Sequence, residues 1–388
     1  MVDTRDHAAG VHARRPPGAG QSGRRDSDPA RAPRSGAKTP VPLDDFLHTA
    51  CFDRDDPSAL GALLRELVER GYDRAPVLPL PGHGQTLARW RALAAVAACD
   101  LGLVKLFEGH TDALAILAEL HGPTPAAGSC WAVWAAEPPD ARVQVSKVGI
   151  RSDAGQVQLA GTKAWCSGAA AVSHALVTAW LDQQPVLVAV AMDQPTISID
   201  ASNWQAVGMR ATASADVTFD RTPATVVGAA HAYVRRPGFW HGGAGIAACW
   251  YGAAAQIGRM LRDACAQRAD PQRLAHLGAV DVALQAAAAV LRETAAHFDA
   301  NPQADAQCEA LRARLVVEEA AGAAMHHATR ALGAGPLCRN ARFARALADL
   351  PVFLRQSHAE RDLAALGELI AAPRAVDTST IGGVPWTL

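Results

Sequence analysis

The chain has 388 residues, 49% apolar and 19% charged, with a formal net charge of -1. That size supports a large core spread over more than one domain, and the near-neutral balance offers no general attraction to nucleic acid or to an anionic membrane, leaving a small molecule as the default partner. Its eight cysteines, Cys51, Cys99, Cys130, Cys166, Cys249, Cys265, Cys308 and Cys338, form no Cys-x-x-Cys pair, so neither a zinc knuckle nor a disulfide scaffold is indicated and reduced thiols are expected.

Residues 1–40 carry Arg14-Arg15 and Arg24-Arg25 among Gly, Pro, Ser and Asp, with no apolar run to act as a signal-peptide core or membrane span. They read as a disordered tail, and the protein as cytoplasmic. A helical domain is expected over 41–125. Leu60, Leu63, Leu64, Leu67 and Val68 repeat at three and four residues, and Gly71 is placed to stop that helix. After a loop from Val77 to Gly84, a second helical stretch carries Trp90, Leu93, Val96 and Ala97; Glu108-Gly109-His110 reads as a polar break before Ala113, Leu114, Leu117 and Leu120.

Over 126–230 the pattern changes to short apolar runs: Cys130 to Ala135, Val143 to Ile150, Val157 to Trp165, Ala175 to Trp180, Val186 to Ala191, Ile197 to Ile199 and Val217 to Phe219. Gln183-Gln184-Pro185 and Asp193-Gln194-Pro195 punctuate them as turns. Strand-helix alternation is missing, so a small, mostly antiparallel barrel or sandwich is expected. Over 231–371 Ala-rich helices return, through Gln267, from Leu274 to His297, from Ala304 to Leu332 and from Ser357 to Ile370, which suggests a four-helix bundle with apolar faces shared between subunits of a homodimer or homotetramer. Residues 372–388 read as a tail. The fold class is therefore α+β.

The most informative local run is Gly161-Thr162-Lys163-Ala164-Trp165-Cys166-Ser167-Gly168. Side chains two apart on a strand share a face, so Trp165 could lie against a flat ring while Ser167 meets that ring's polar rim. This run resembles the Gly-x-Lys-x-Trp-Ile-Thr/Ser-Asn segment of the acyl-CoA dehydrogenase family, whose element order is also helices, a small β domain and a helical bundle. Trp134-Ala135-Ala136-Glu137-Pro138 is similar to the family's Thr-Glu-Pro segment, with Ala136 where the flavin-contacting Thr normally stands. Gly208-Met209-Arg210-Ala211-Thr212 is similar to the stretch that closes the β domain. The resemblance spans about 42–370 and implies bound FAD. It places Arg268 on the family's Arg-x-x-Phe-Gly motif, although Pro271 and Gln272 replace Phe and Gly. Gly333 and Gly335 fall on its Leu-Gly-Gly turn, and Asp349 on the Asp of its Arg-Asp pair. These diphosphate-side groups are usually supplied across a subunit boundary; by themselves, the two glycines would simply end a helix.

The family removes an α-proton with a Glu, and its two known locations fall here on Ser357 and near Gly242. Neither is a carboxylate. Pro139-Asp140-Ala141 also replaces the family's Gly-Ala-Gly-Ser-Asp loop. Ser357 with Glu360 has the spacing of a capping box. His358 would open the same helix with Asp362 one turn on to orient its ring, and His241, beside two glycines, is the second candidate base. The resemblance implies an FAD-dependent oxidoreductase acting on a CH-CH bond beside a carbonyl, with an acyl thioester as the implied substrate, an unassigned electron acceptor and a relocated base. Two alternatives stand beside it: a flavin monooxygenase on the same fold, of the dibenzothiophene monooxygenase kind, and a non-catalytic scaffold. No metal site is indicated, since His326-His327 point about 100° apart on a helix.

Overall fold

The computed structural model describes residues 41–138, 141–147 and 155–371. The two expected tails, Pro139-Asp140 of the replaced loop, and positions 148–150 of the second strand run lie outside the described residues.

Among the described residues, four helices come first: α1 (Leu43–Thr49), α2 (Pro57–Glu69), α3 (Thr86–Cys99) and α4 (Leu101–Glu119). Asp56 caps α2 by accepting from the Ser58 amide at 2.8 Å, with Pro57 at the first helical position, where a missing N–H costs nothing. The break in the second helical stretch comes earlier than expected. Asp100 ends α3 and caps α4, accepting from the Leu103 amide at 2.9 Å. Glu108-Gly109-His110 lies inside α4, with Glu108 and His110 buried. His110 explains part of that burial: its Nδ1 accepts from the Trp131 amide at 3.1 Å, and its Nε2 meets Asp73 at 3.2 Å. Accepting at Nδ1 puts the ring proton on Nε2, so one neutral imidazole ties α4 to the first strand and to the loop after α2.

Among the described residues, seven strands follow: β1 (Trp131–Trp134), β2 (Gln144–Lys147), β3 (Gln156–Cys166), β4 (His174–Leu181), β5 (Gln184–Ala191), β6 (Ile197–Asp200) and β7 (Ala215–Val227). β2 pairs with β3, β3 with β7, β7 with β5, β5 with β4 and β4 with β2, which closes a small barrel. Most pairings are antiparallel; β1–β4 and β2–β4 are parallel. The β4–β5 turn is Asp182-Gln183, both with positive φ, so Gln184 and Pro185 belong to β5 and not to the turn. A two-residue connection with two left-handed residues matches strand twist, as type I′ hairpins do.

The chain then returns to helices: α5 (Ala232–Arg235), α6 (Gly238–Gln267), α7 (Pro271–Ala300), α8 (Gln307–Leu332), α9 (Ala334–Arg339), α10 (Ala341–Leu354) and α11 (Glu360–Ala371). α6 is the central rod, packed on α3, α7 and α8. Its small residues permit close approach, and a Cβ on Gly252 would overlap the Ala94 carbonyl of α3. The sequence pattern did not foretell α9 and α10. Asn340 caps α10 by accepting from the Phe343 amide at 3.1 Å, and Phe343, Leu350, Phe353 and Leu354 give it a buried face despite Pro351. α7 leaves much of its apolar surface uncovered, including Leu274 and Val282. By length and composition it is also apolar enough to cross a membrane.

Candidate active site

A cavity of about 750 Å³ lies where the barrel, α4, the start of α6 and the α10–α11 turn meet. Its barrel side is formed by Trp134, Ala135, Ala136, Trp165, Ser167, Thr212 and Ser214. Trp165 and Ser167 do not reach it by simple strand alternation. The register of β3 on β7 shifts between Lys163 and Cys166, and Trp165 takes φ 58° within that bulge. The bulge turns the indole outward, 59% exposed, onto the cavity rim. A left-handed, largely exposed Trp is strained and poorly buried, which is expected of a residue kept to meet a ligand.

Ser167 stands in a short chain of hydroxyls. Its Oγ lies 2.7 Å from Ser214 Oγ, which is 3.0 Å from Thr212 Oγ1, and Thr212 donates to the Met209 carbonyl at 2.8 Å. The Trp134 indole donates to the Ser167 carbonyl at 3.3 Å, joining the two expected flavin-side segments. A half-buried ion pair fixes them further. Lys163 Nζ, fully buried, lies 3.1 Å from Glu137 and donates to Thr178 Oγ1 and O at 2.7 and 2.9 Å; the Trp180 indole donates to Glu137 at 2.9 Å. Burial alone would raise the Glu137 carboxyl, but the Trp180 hydrogen bond, Lys163 and Thr178 bring it below the usual range. These residues fit a flat heterocycle with a polar edge: an exposed indole, a hydroxyl chain and, at Ala136, a small side chain facing the cavity.

On the helical side, the cavity is walled by Tyr233, Phe239, Trp240, Ile246, Leu311 and Phe353. His358 also lines it, with its ring 58% exposed and Nδ1 3.4 Å from Asp362. The expected cap takes a different form. Helix α11 begins only at Glu360, so His358 precedes it, and Asp362 rather than Glu360 accepts from the His358 amide, at 3.0 Å. Ser357 is buried behind the cavity wall, where its Oγ accepts from the Ala359 amide at 3.2 Å. Arg314 holds this turn against α6 by donating to the Gly243 carbonyl at 2.7 Å and the Gln356 carbonyl at 2.8 Å.

Other expected residues lie elsewhere. His241 points away from the cavity, its ring tilted against Phe298 at 4.4 Å and close to Gly82, while its neighbours Gly242 and Gly243 line the wall. Burial pushes the His241 ring below its ordinary pKa. Arg268 is exposed at the far end of α6, where its carbonyl accepts from Arg273. Gly333 ends α8 with φ 65°, and Gly335 lies in α9; neither touches the cavity of this chain. Asp349 is buried and accepts from the Met209 amide at 2.5 Å, and burial pushes its carboxyl up to about 6.

A polar group with no signal in the sequence motifs stands at the inner end: Lys105, Glu108 and Asp112 on α4, with Arg236 and Arg314 opposite. Arg236 pairs with Glu119 at 2.7 Å and lies 3.8 Å from Asp112. Glu108 is 3.9 Å from Lys105, and among the described residues none donates a hydrogen bond to its carboxylate. Burial pushes Glu108 up to about 7.

No family model and no curated protein matches the chain in sequence. Solved structures do match it. FkbI, an enzyme for biosynthesis of the methoxymalonyl extender unit of the polyketide Fk520, aligns with a TM-score of 0.70 at 19% identity over 85% of this chain and 99% of its own. Methanesulfinate monooxygenase MsuC from Pseudomonas fluorescens gives 0.68 at 19% identity over 85% and 95%. The dibenzothiophene monooxygenase TdsC from Paenibacillus sp. A11-2, in complex with FMN and indole, gives 0.63 at 17% identity over 81% and 96%. What the chain shares with them is the fold. These neighbours include flavin-dependent enzymes.

Proposed function

We propose that the chain is a flavin-dependent monooxygenase that transfers one oxygen atom from O2 to a small, largely apolar substrate. The observation that carries this reading is the cavity itself, which faces an exposed Trp165 and a hydroxyl chain on one side and an aromatic wall on the other. Trp165, Ser167 and Ala136 would hold the flavin ring. When bound and reduced, the flavin supplies the electrons that activate O2. Phe239, Trp240 and Phe353 keep water from the reacting atoms. His358, oriented by Asp362, moves a proton at the cavity mouth.

FMN is the form we favour over the FAD first expected. TdsC, which shares this fold, is bound to FMN. The acyl-CoA dehydrogenase reading keeps one point in its favour, since Glu108 is a carboxylate on the cavity wall. We also propose a homodimer or homotetramer, supported by the uncovered apolar surface of α7. The discriminating experiment supplies reduced FMN and labelled oxygen gas to the protein with a panel of aromatic and sulfur compounds. A product bearing one labelled oxygen supports the oxygenase; reduction of oxidised flavin by acyl thioesters under anaerobic conditions, without oxygen transfer, would replace it with the dehydrogenase.

A further inference from the structure

Glu108 has no part in the flavin contacts of Trp165 and Ser167 or in the proton movement at His358. It sits on the inward face of α4, its side chain 8% exposed, and it lines the cavity. A carboxylate with no hydrogen-bond donor in the protein is costly to bury, so it is retained at a cost that a ligand can offset. The groups around it are Arg89 on α3, Lys105 and Asp112 on α4, Tyr233 on α5, Cys249 on α6 and Arg314 on α8. Arg314 is committed to the Gly243 and Gln356 carbonyls, and Lys105 stands at 3.9 Å, beyond hydrogen-bond range.

We propose that Glu108 recognises the substrate by accepting a hydrogen bond from it, and that the substrate therefore carries an N–H or O–H group at or beside the atom that receives oxygen. For its chemistry the proposal rests on the oxygenase reading; for its binding step it does not. Writing the atom that receives oxygen as X, either the donor nitrogen itself or a carbon beside the N–H or O–H donor, the balance is X–H plus O2 plus reduced flavin, carrying two electrons and two protons, giving X–OH, water and oxidised flavin. The X–O bond forms as the O–O bond breaks. The donor's proton passes to Glu108 as the X–O bond forms, and then to the oxygen released as water. Burial pushes the Glu108 carboxyl up to about 7, which suits a group that both takes and returns a proton near neutrality.

The test is calorimetric binding of matched probes, indole against N-methylindole and a naphthol against its methyl ether, to the full chain with and without FMN. Hydrogen bonds to charged groups lead to an expected preference of roughly tenfold or more for the donor-bearing probe, abolished in Glu108→Met. Should Glu108→Met fail to fold, Glu108→Gln keeps an acceptor and retains most of the preference, but loses the proton release that wild type shows on binding near neutral pH. A wild type that binds both members of each pair equally or binds neither, or a Glu108→Met protein that keeps the preference, would overturn the proposal. Failure of the flavin reading alone would leave the preference in the flavin-free chain intact.

Discussion

Replacing Glu108 by Gln should make the protein more stable at alkaline pH than wild type, by an amount fixed by the burial of this carboxyl. Its folded-state pKa is raised from the ordinary 4.5 to about 7. Between those values the folded chain holds a proton that the unfolded chain has released, so stability falls as pH rises through this window and stays lowered above it. The gap corresponds to about 3 kcal/mol, fully absent at pH 4.5 and fully developed above pH 7. Glutamine cannot titrate and should remove the slope. Urea unfolding of both proteins at half-unit steps from pH 4.5 to 8.5 measures it. Curves that run parallel, with a constant offset between them, would refute the reasoning and show that Glu108 is solvated or paired in the folded protein.

Trp165→Ala should lower FMN affinity about tenfold, from ring stacking on the order of 1–3 kcal/mol, without loss of stability, because the side chain is exposed and its backbone strained; fluorescence titration and urea unfolding separate the two effects. Lys163→Met should cost about 2 kcal/mol, since it removes a charged hydrogen-bond donor from the half-buried Glu137 carboxylate, which keeps Trp180 and Thr178, and the double substitution with Glu137→Gln should recover part of that loss in the same unfolding assay. His358→Ala should reduce turnover roughly a hundredfold or more while leaving the flavin dissociation constant unchanged, as measured by steady-state kinetics beside flavin titration.

The strand pattern was legible because each barrel strand must bury alternate residues or its whole length, and turns need residues that tolerate positive φ. Trp165 and Ser167 were legible as a pair, but the bulge that aims Trp165 was not, since nothing in the local residues requires φ 58° there. Glu108 was hidden by its own polarity. The helical spacing of Leu103, Val104, Phe107, Ala113, Ile116 and Leu117 continues across Glu108-Gly109-His110, and following that spacing rather than the polar interruption would have found it. α10 was missed because Pro351 near its end reads as a breaker, while tertiary burial of Phe343, Leu350 and Phe353 sets the helix. His241 shows the remaining limit: neighbouring Gly242 and Gly243 do line the cavity, but the direction of one side chain on a helix depends on which face the fold buries.

The central claim is that this cavity holds a flavin ring at Trp165 and Ser167. Titrating the purified chain with FMN while following flavin fluorescence and the visible spectrum tests it most directly. Saturable binding that perturbs the flavin spectrum, and is weakened by Trp165→Ala and by Ser167→Val, is the predicted result. A chain that binds neither FMN nor FAD, or binds them equally well after both substitutions, would contradict the account.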